Sequence, residues 1–400
     1  MLPRVLVVGA GIGGLALASL LHKRGFPVRV YEQSSKLQEV GAGVQLSANA
    51  VKVLRALGVE RDAVSRGFLP KAFIGWSWKS GRMLYRTPLA EVHESQYGAP
   101  YVHIHRADLH DLLASGVPAE SISLGHRVRQ VIQDGDSVRV EFENGHVDHA
   151  DVVIGADGIH SAVRRSLFGD EAPRFTGNMC WRGVIPADAL PQGHVLPVSS
   201  NWMGPDGHVV TYFLRSGTLI NFVAIRETQD WTDESWTTPS SREELLEAFK
   251  GWNPRLLALF QRAEGLYKWG LFDRDPLARW SMGRVTLLGD AAHPMLPFLA
   301  QGAAQALEDG YALGDWLSLY SHAPVQALAA YEAERRPRTA RVQLGARERG
   351  RTAHLRSAWA RFKRDLGFLR DWVFTPKKTS HRAEWIFAHD VTRVTRELPT

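Results

Sequence analysis

The chain has 400 residues and a net charge of +6, with 44% hydrophobic and 22% charged residues, the balance of a globular protein and not of a disordered or fibrous one. One cysteine, Cys180, excludes a disulfide framework, argues against a thiolate metal site and suits a reducing compartment. No apolar run reaches the roughly 20 residues of a membrane helix, and the chain passes from Met1 into a strand without the apolar stretch of a signal peptide, so a cytoplasmic protein without membrane contact is expected.

In chain order, residues 4–8 read as a buried strand ending at a glycine-rich loop, residues 15–23 as a helix stopped by Gly25, and residues 28–31 as a second strand followed by Glu32. Together they make a βαβ unit. Residues 49–57 form a helix closed by Gly58. From about residue 71 the pattern alternates: 73–78 and 83–86 flank the turn Lys79-Ser80-Gly81. A helix returns at 106–114, strands at 128–132 and 138–142 turn at Asp134-Gly135, and 152–154 lead into Gly155-Ala156-Asp157-Gly158. Residues 179–267 read as mostly β, with strands at 199–203, 208–214 and 218–225 and a helix at 242–249. After a strand at 285–288 the rest is helical: 303–319, 324–351 and 358–374. The late bases, among them Arg335, Arg338, Arg347 and Arg364, read as a solvated helical face; without interleaved aromatics they do not suggest nucleic acid.

Two segments carry the chemistry. In Gly9-x-Gly11-x-x-Gly14 the first glycine allows the strand-to-helix turn, the second lets a pyrophosphate approach the backbone, and the third lets helix and strand pack closely. Glu32, with Gln33 beside it, stands where a carboxylate accepts hydrogen bonds from a ribose. Far downstream, Gly289-Asp290-Ala291-Ala292-His293-Pro294 ends another strand. An acidic strand end returning so late suggests one long cofactor held at both ends, FAD and not a nicotinamide dinucleotide. The plainer reading of Asp290 is a helix cap, and His293 before proline suits a turn as well as a flavin contact.

With Asp157-Gly158-Ile159-His160-Ser161-Ala162-Val163-Arg164 between them, these motifs resemble the class A flavoprotein monooxygenases built like para-hydroxybenzoate hydroxylase, over nearly the whole chain. The resemblance implies an α/β fold: a Rossmann-like FAD-binding domain (1–70, 98–178 and 268–350) interleaved with a β-sheet-rich substrate domain (71–97 and 179–267), then C-terminal helices (351–400). It implies that Asp290 binds the ribityl chain, that Pro297, Gly302 and Ala303 set a helix N-terminus against the flavin ring, that Asp157 and Arg106 serve the FAD, and that Gly41-Ala42-Gly43-Val44-Gln45 lies beside the ring. Arg106 otherwise reads as a surface helix residue. With no second GxGxxG unit, NADH or NADPH would act as a transient donor.

His208 and Tyr212 share one face of a strand and look like the pair of the salicylate hydroxylase and 6-hydroxynicotinate 3-monooxygenase branch; by itself His208 reads as a hairpin-surface histidine. Gln45 stands where the hydroxynicotinate enzymes have a histidine. The implied reaction is hydroxylation of a small hydroxylated aromatic acid by O2 through a flavin C4a-hydroperoxide, with or without loss of the carboxylate. A larger polycyclic or antibiotic-like substrate, or a non-catalytic flavin-binding sensor or scaffold, stands as the alternative. No metal and no nucleic-acid partner is expected, and the chain would act as a monomer or homodimer.

Overall fold

Two sheets carry the computed structural model, which describes residues 1–37, 43–228, 238–374 and 383–397. Gly41, Ala42, Trp231 and Trp236 lie outside the described residues. The first sheet has six strands in the order Ser281–Met282, Val285–Leu287, Val152–Gly155, Val5–Val8, Val28–Tyr31 and Ile122–Ser123. All but the Ser281–Met282 edge run parallel. Val5–Val8 and Val152–Gly155 are buried along their whole length, as a parallel sheet covered on both faces requires.

Helix Ile12–Lys23 follows the first strand, and helix Gly302–Leu319 crosses it at close range. Small residues permit that crossing: a Cβ on Gly310 would lie 3.0 Å from the Gly13 carbonyl oxygen, and one on Gly314 would lie 2.7 Å from Leu20. Dispersion contacts of this density place the glycine turn and the start of the late helix side by side.

The second sheet has eight strands: Thr238–Pro239, Tyr267–Asp273, Arg174–Pro186, Leu219–Glu227, Gly207–Leu214, Ser199–Gly204, Ala72–Ser77 and Met83–Pro88. Neighbours are antiparallel except Ala72–Ser77 beside Ser199–Gly204. Alternation gives each strand two faces. One face puts Trp181, Val209, Phe222 and Ala224 into a core with helices Arg242–Ala248 and Pro254–Phe260. The other turns Arg182, His208, Val210, Tyr212, Val223 and Ile225 toward a cavity.

Most elements stand within two residues of their sequence reading, and helices Arg106–Ala114 and Ala358–Phe374 match it at both ends. Helices Glu60–Arg66, Ala90–Tyr97 and Pro254–Phe260 are not in the sequence reading; each is only seven or eight residues long, too short for a period to show. Strands Arg174–Pro186 and Tyr267–Asp273 run across the expected domain boundaries at 178/179 and 267/268.

The late basic run is not one solvated face. Arg335 is fully buried, and Arg364 nearly so. Arg335 Nη1 meets Glu308 at 2.5 Å and its Nε meets Asp309 at 2.8 Å; Arg338 also binds Glu308. Two buried carboxylates on helix Gly302–Leu319 require buried cations, and helix Pro324–Ala353 supplies them.

Candidate active site

A cavity of about 850 Å³ runs from the glycine turn to the second sheet. That is near the upper end of the roughly 300–1,000 Å³ usual for small-molecule sites.

The glycine arm is walled by backbone. Gly9 has φ of 105°, and a Cβ there would lie 2.4 Å from the Ala156 carbonyl oxygen. A Cβ on Gly14 would lie 2.2 Å from the Gly9 oxygen, so helix and strand are locked together there. Gly11 differs: it lines the cavity, and a Cβ would meet nothing within 4 Å. Gly158 and Gly302 also line the cavity with open space where a side chain would be. The bare N-terminus of Ile12–Lys23 and that of Gly302–Leu319, with Ala303, both face the lumen, and each carries about half a positive charge. This is the chemistry a pyrophosphate and a reduced or oxyanionic ring system need.

Gly9, Glu32, Gln33 and Asp157 do not line the cavity. Glu32 accepts from the Ala10 and Ser34 amides, both at 2.9 Å, and so ties the glycine loop to the next strand end; Gln33 is exposed. Asp157 accepts from the amides of Ala162 at 2.8 Å and Val163 at 3.2 Å, and from the Ser161 hydroxyl. Its carboxylate therefore caps helix Ala162–Phe168 and holds the loop that presents Ala156 and Gly158.

Asp290 lines the lumen within a 3₁₀ turn, Gly289–Ala291, and is not a helix cap. It is open to the cavity but has protein on all sides. Burial pushes its carboxyl up, and the charges of His293 and Arg106 partly offset this. Arg106, at the first position of its helix, also lines the cavity. Behind Asp290, Asp309 Oδ2 accepts from the Gly289 amide at 3.1 Å and meets His293 Nε2 at 2.5 Å. Burial would raise Asp309, but His293 and Arg335 hold it below the usual carboxylate range. His293 is thus a structural partner of the turn, reached through Asp309.

The described part of the Gly41–Gln45 stretch opens strand Gly43–Leu46, paired with Val102–His105. Gly43, Val44 and Gln45 all line the cavity. Gln45 Oε1 accepts from the Tyr101 hydroxyl at 2.8 Å, and the Gly43 amide donates to Asn221 at 2.9 Å. A Cβ on Gly43 would lie 2.5 Å from the Tyr212 ring, so only glycine lets this loop reach the sheet. Pro297 opens the 3₁₀ turn Pro297–Leu299, and Ala300 then takes a left-handed φ of 52° to start the late helix.

The sheet arm is walled by side chains. Across the strands, Tyr212 stands in register with Asn221, Val210 with Val223 and Arg182, and His208 with Ile225, Cys180 and Trp269. Arg182 therefore lies one row from Tyr212 and one from His208, facing the same lumen. Its guanidinium sits 4.6 Å from the Trp269 ring centre, and its Nε is buried with no hydrogen-bond partner among the described residues. Asn201, paired with Val210, lines the same lumen, and its Oδ1 is likewise unpaired. Buried polar atoms are almost always hydrogen-bonded, so unpaired ones on a cavity wall call for a partner from the lumen, water or ligand.

Tyr212 is buried, which pushes its phenol well up, only partly offset by Arg182; it is protonated at neutral pH. Burial drives His208 well below the usual imidazole range, and nearby His354 and Arg349 push the same way. His208 Nδ1 and His354 Nε2 share a hydrogen bond of 2.7 Å, and His354 Nδ1 lies 3.3 Å from Glu227 Oε1. If the Nδ1 proton of His354 goes to Glu227, its Nε2 accepts from His208, which leaves His208 Nε2 as a free base. His208 is no hairpin-surface residue.

Sequence reasoning missed Arg182, Asn201, His354 and the cavity roof of Phe368, Trp372, Trp385 and Phe387. Cys180-Trp181-Arg182 alternates across a strand, but nothing in the sequence tells which face meets a ligand.

The chain belongs to the FAD binding domain family, whose model matches residues 3–345. It is 42% identical over 353 residues to 3-amino-4-hydroxybenzoate 2-monooxygenase PtnB3 of Streptomyces platensis, covering 88% of this chain and 89% of that one. It is 37% identical over 394 residues to 6-hydroxynicotinate 3-monooxygenase of Bordetella bronchiseptica, covering 97% and 96%. Its structure is similar to that of a salicylate hydroxylase substrate complex, with a TM-score of 0.83, 31% identity and coverage of 98% and 96%. Fold and relatives together define a class A flavoprotein monooxygenase. Within that class the protein is an FAD-dependent aromatic hydroxylase.

Proposed function

We propose that this enzyme hydroxylates a small hydroxylated aromatic acid, consuming one O2 and one NADH or NADPH and releasing one water per turnover. The observation that carries the reading is the placement of Arg182, His208 and Tyr212 in adjacent rows of one cavity wall. A cation, a neutral base and a protonated phenol suit, respectively, a carboxylate, a phenolic proton and a ring oxygen. FAD bound in the glycine arm supplies the redox chemistry, accepting hydride from the nicotinamide and delivering electrons to O2.

Gly11, Gly14 and the helix start behind them would hold the pyrophosphate, Asp290 the ribityl hydroxyls, and Pro297, Gly302 and Ala303 the ring edge, with Gly43, Val44 and Arg106 closing the far side. Gly9, Glu32 and Asp157 shape these loops. Arg182 would hold the substrate carboxylate, aided by the Asn201 amide. Tyr212 would donate a hydrogen bond to the substrate, and Gln45, fixed by Tyr101, would close the ring-side wall. His208 Nε2 would take the phenolic proton. The proton on Nδ1 then moves to His354 Nε2, and that on His354 Nδ1 to Glu227, which is partly exposed. A ring that becomes phenolate is the more electron-rich nucleophile, and a positioned base contributes typically ~10²–10⁴-fold.

The test is NADH and NADPH oxidation by the purified yellow protein across hydroxybenzoates, aminohydroxybenzoates and hydroxynicotinates, with product and CO2 measured. Stimulated oxidation with a hydroxylated product supports the reading, and CO2 release reports whether the carboxylate leaves. No stimulation by any of these acids, with FAD bound, contradicts it.

A further inference from the structure

Six of the fourteen large apolar side chains exposed among the described residues lie on one helix, Ala358–Phe374. Five of them, Trp359, Phe362, Leu366, Leu369 and Val373, follow a strict three-four spacing, the first and fourth positions of a heptad. Their exposures are 63%, 54%, 54%, 45% and 59%, so the stripe faces outward along its length. Exposed apolar side chains scattered singly are ordinary, whereas a contiguous row marks a contact surface.

The opposite side of this helix is already docked. Phe368 packs 4.9 Å from the Tyr85 ring centre, and Arg364 donates to the carbonyls of Thr352 and Ala353. The helix is therefore formed and held before anything binds, and pairing need not meet the cost of folding it.

The width of the stripe selects among occupants. Helices that lie on membranes bury a broad apolar arc, whereas a seam of only two positions per heptad is the narrower coiled-coil geometry. The flanks select the partner. Lys363 and Arg370 border the seam on one side and Asp365 on the other. In a parallel pair, Asp365 of one copy comes beside Arg370 of the other; in an antiparallel pair, Lys363 and Arg370 would face like charges. Arg370 is well exposed; within the single chain it pairs with Asp371 at 3.4 Å, and Asp365 pairs with Arg364 at 2.9 Å, so the inter-chain contact is shared with these.

We propose that Ala358–Phe374 is a homodimerisation helix that pairs in parallel with the same helix of a second copy about a two-fold axis. Phe368 and Trp372 of the same helix roof the cavity, so the partner copy holds that roof from outside.

The test is sedimentation of the full FAD-loaded protein over a wide dilution series. The expected species is a dimer of twice the 44.6 kDa chain mass that dissociates on dilution. Leu366→Glu combined with Leu369→Glu is expected to give the single-chain mass at every concentration, including those at which the unaltered protein is a dimer, with circular dichroism and melting temperature unchanged. Leu366→Cys provides a second reading: a parallel seam sets the two copies of residue 366 face to face, so mild oxidation gives an inter-chain disulfide, and fully buried Cys180 adds no background. A single-chain mass across the whole series would overturn the proposal, as would a dimer untouched by the double variant. Stripe-dependent binding of a monomer to phosphatidylcholine–phosphatidylglycerol vesicles would overturn it in favour of a lipid surface. A dimer lost in the double variant but never cross-linked through residue 366 would overturn the parallel arrangement.

Discussion

The two arms of the cavity are built in opposite ways. The glycine arm presents mostly backbone: Gly11, Gly158 and Gly302 leave amides and helix ends bare, Asp290 and Arg106 are the charged side chains that reach its lumen, and Asp157, Asp309 and Arg335 work from behind. The sheet arm presents side chains from a regular strand face: Arg182, Asn201, His208 and Tyr212. A backbone-walled arm suits a ligand that never changes, because phosphates read amides and little else can improve on that. A side-chain wall can be altered one residue at a time, and such a wall suits the part of the reaction that differs among enzymes of one fold.

That contrast orders the ways to break the site. The largest effect is expected behind the glycine arm. Arg335→Leu leaves Glu308 and Asp309 buried without their main counter-ion and is expected to cost about 3–5 kcal/mol. Urea denaturation should show the loss, together with lost flavin, because Asp309 also holds the Gly289 turn. Gly9→Ala comes next. Its φ of 105° and the 2.4 Å approach to Ala156 predict roughly 1–3 kcal/mol of strain and weaker flavin retention, read by absorbance after gel filtration.

On the sheet arm the expected effects are on substrate alone. Arg182→Met removes a charge-assisted contact worth about 1.5–3 kcal/mol and should raise KM for the aromatic acid about 10- to 150-fold, with flavin content unchanged. The contrast is sharpened if an ester of the same acid loses little between wild type and variant.

A further effect, read on stability against pH and not on a variant, arises where the arms meet. His93 and His103 flank the Gln45 strand, and burial holds them down at about 4 and about 3. Their unfolded counterparts titrate near 6.5. Because the folded values are lowered, the unfolded chain binds more protons below pH ~6.5, and stability present above that pH is lost as it falls. Each histidine contributes a slope of about 1.4 kcal/mol per pH unit. Urea midpoints that stay flat from neutral pH to about 5 would show that neither ring is held neutral.

The same contrast explains what could be read in the sequence. Backbone requirements leave marks at fixed spacing: only glycine fits at Gly9 and Gly14, and the turn at Gly289 and Asp290 must end a strand. The glycine arm was therefore legible as motifs, and within them Asp157 and Glu32 also hold loops through backbone amides. Strand periodicity put His208 and Tyr212 on one face but could not bring in Arg182 from a strand two places away, because the register across the sheet is a long-range property. Arg335 was misread for a related reason: a base in a helix looks solvated until the carboxylates opposite it, Glu308 and Asp309, are known. His354 was invisible because it only matters through its 2.7 Å contact with His208.

The central claim is that the two arms are separable, one for FAD and one for the aromatic acid. It is tested most directly by measuring flavin affinity and substrate KM in both Asp290→Ala and Arg182→Met. The account predicts a crossed result: Asp290→Ala binds FAD more weakly with KM for the acid near wild type once FAD is saturating, and Arg182→Met keeps FAD while KM rises. Variants that lose both properties together, or an Arg182→Met enzyme with unchanged KM, would contradict it.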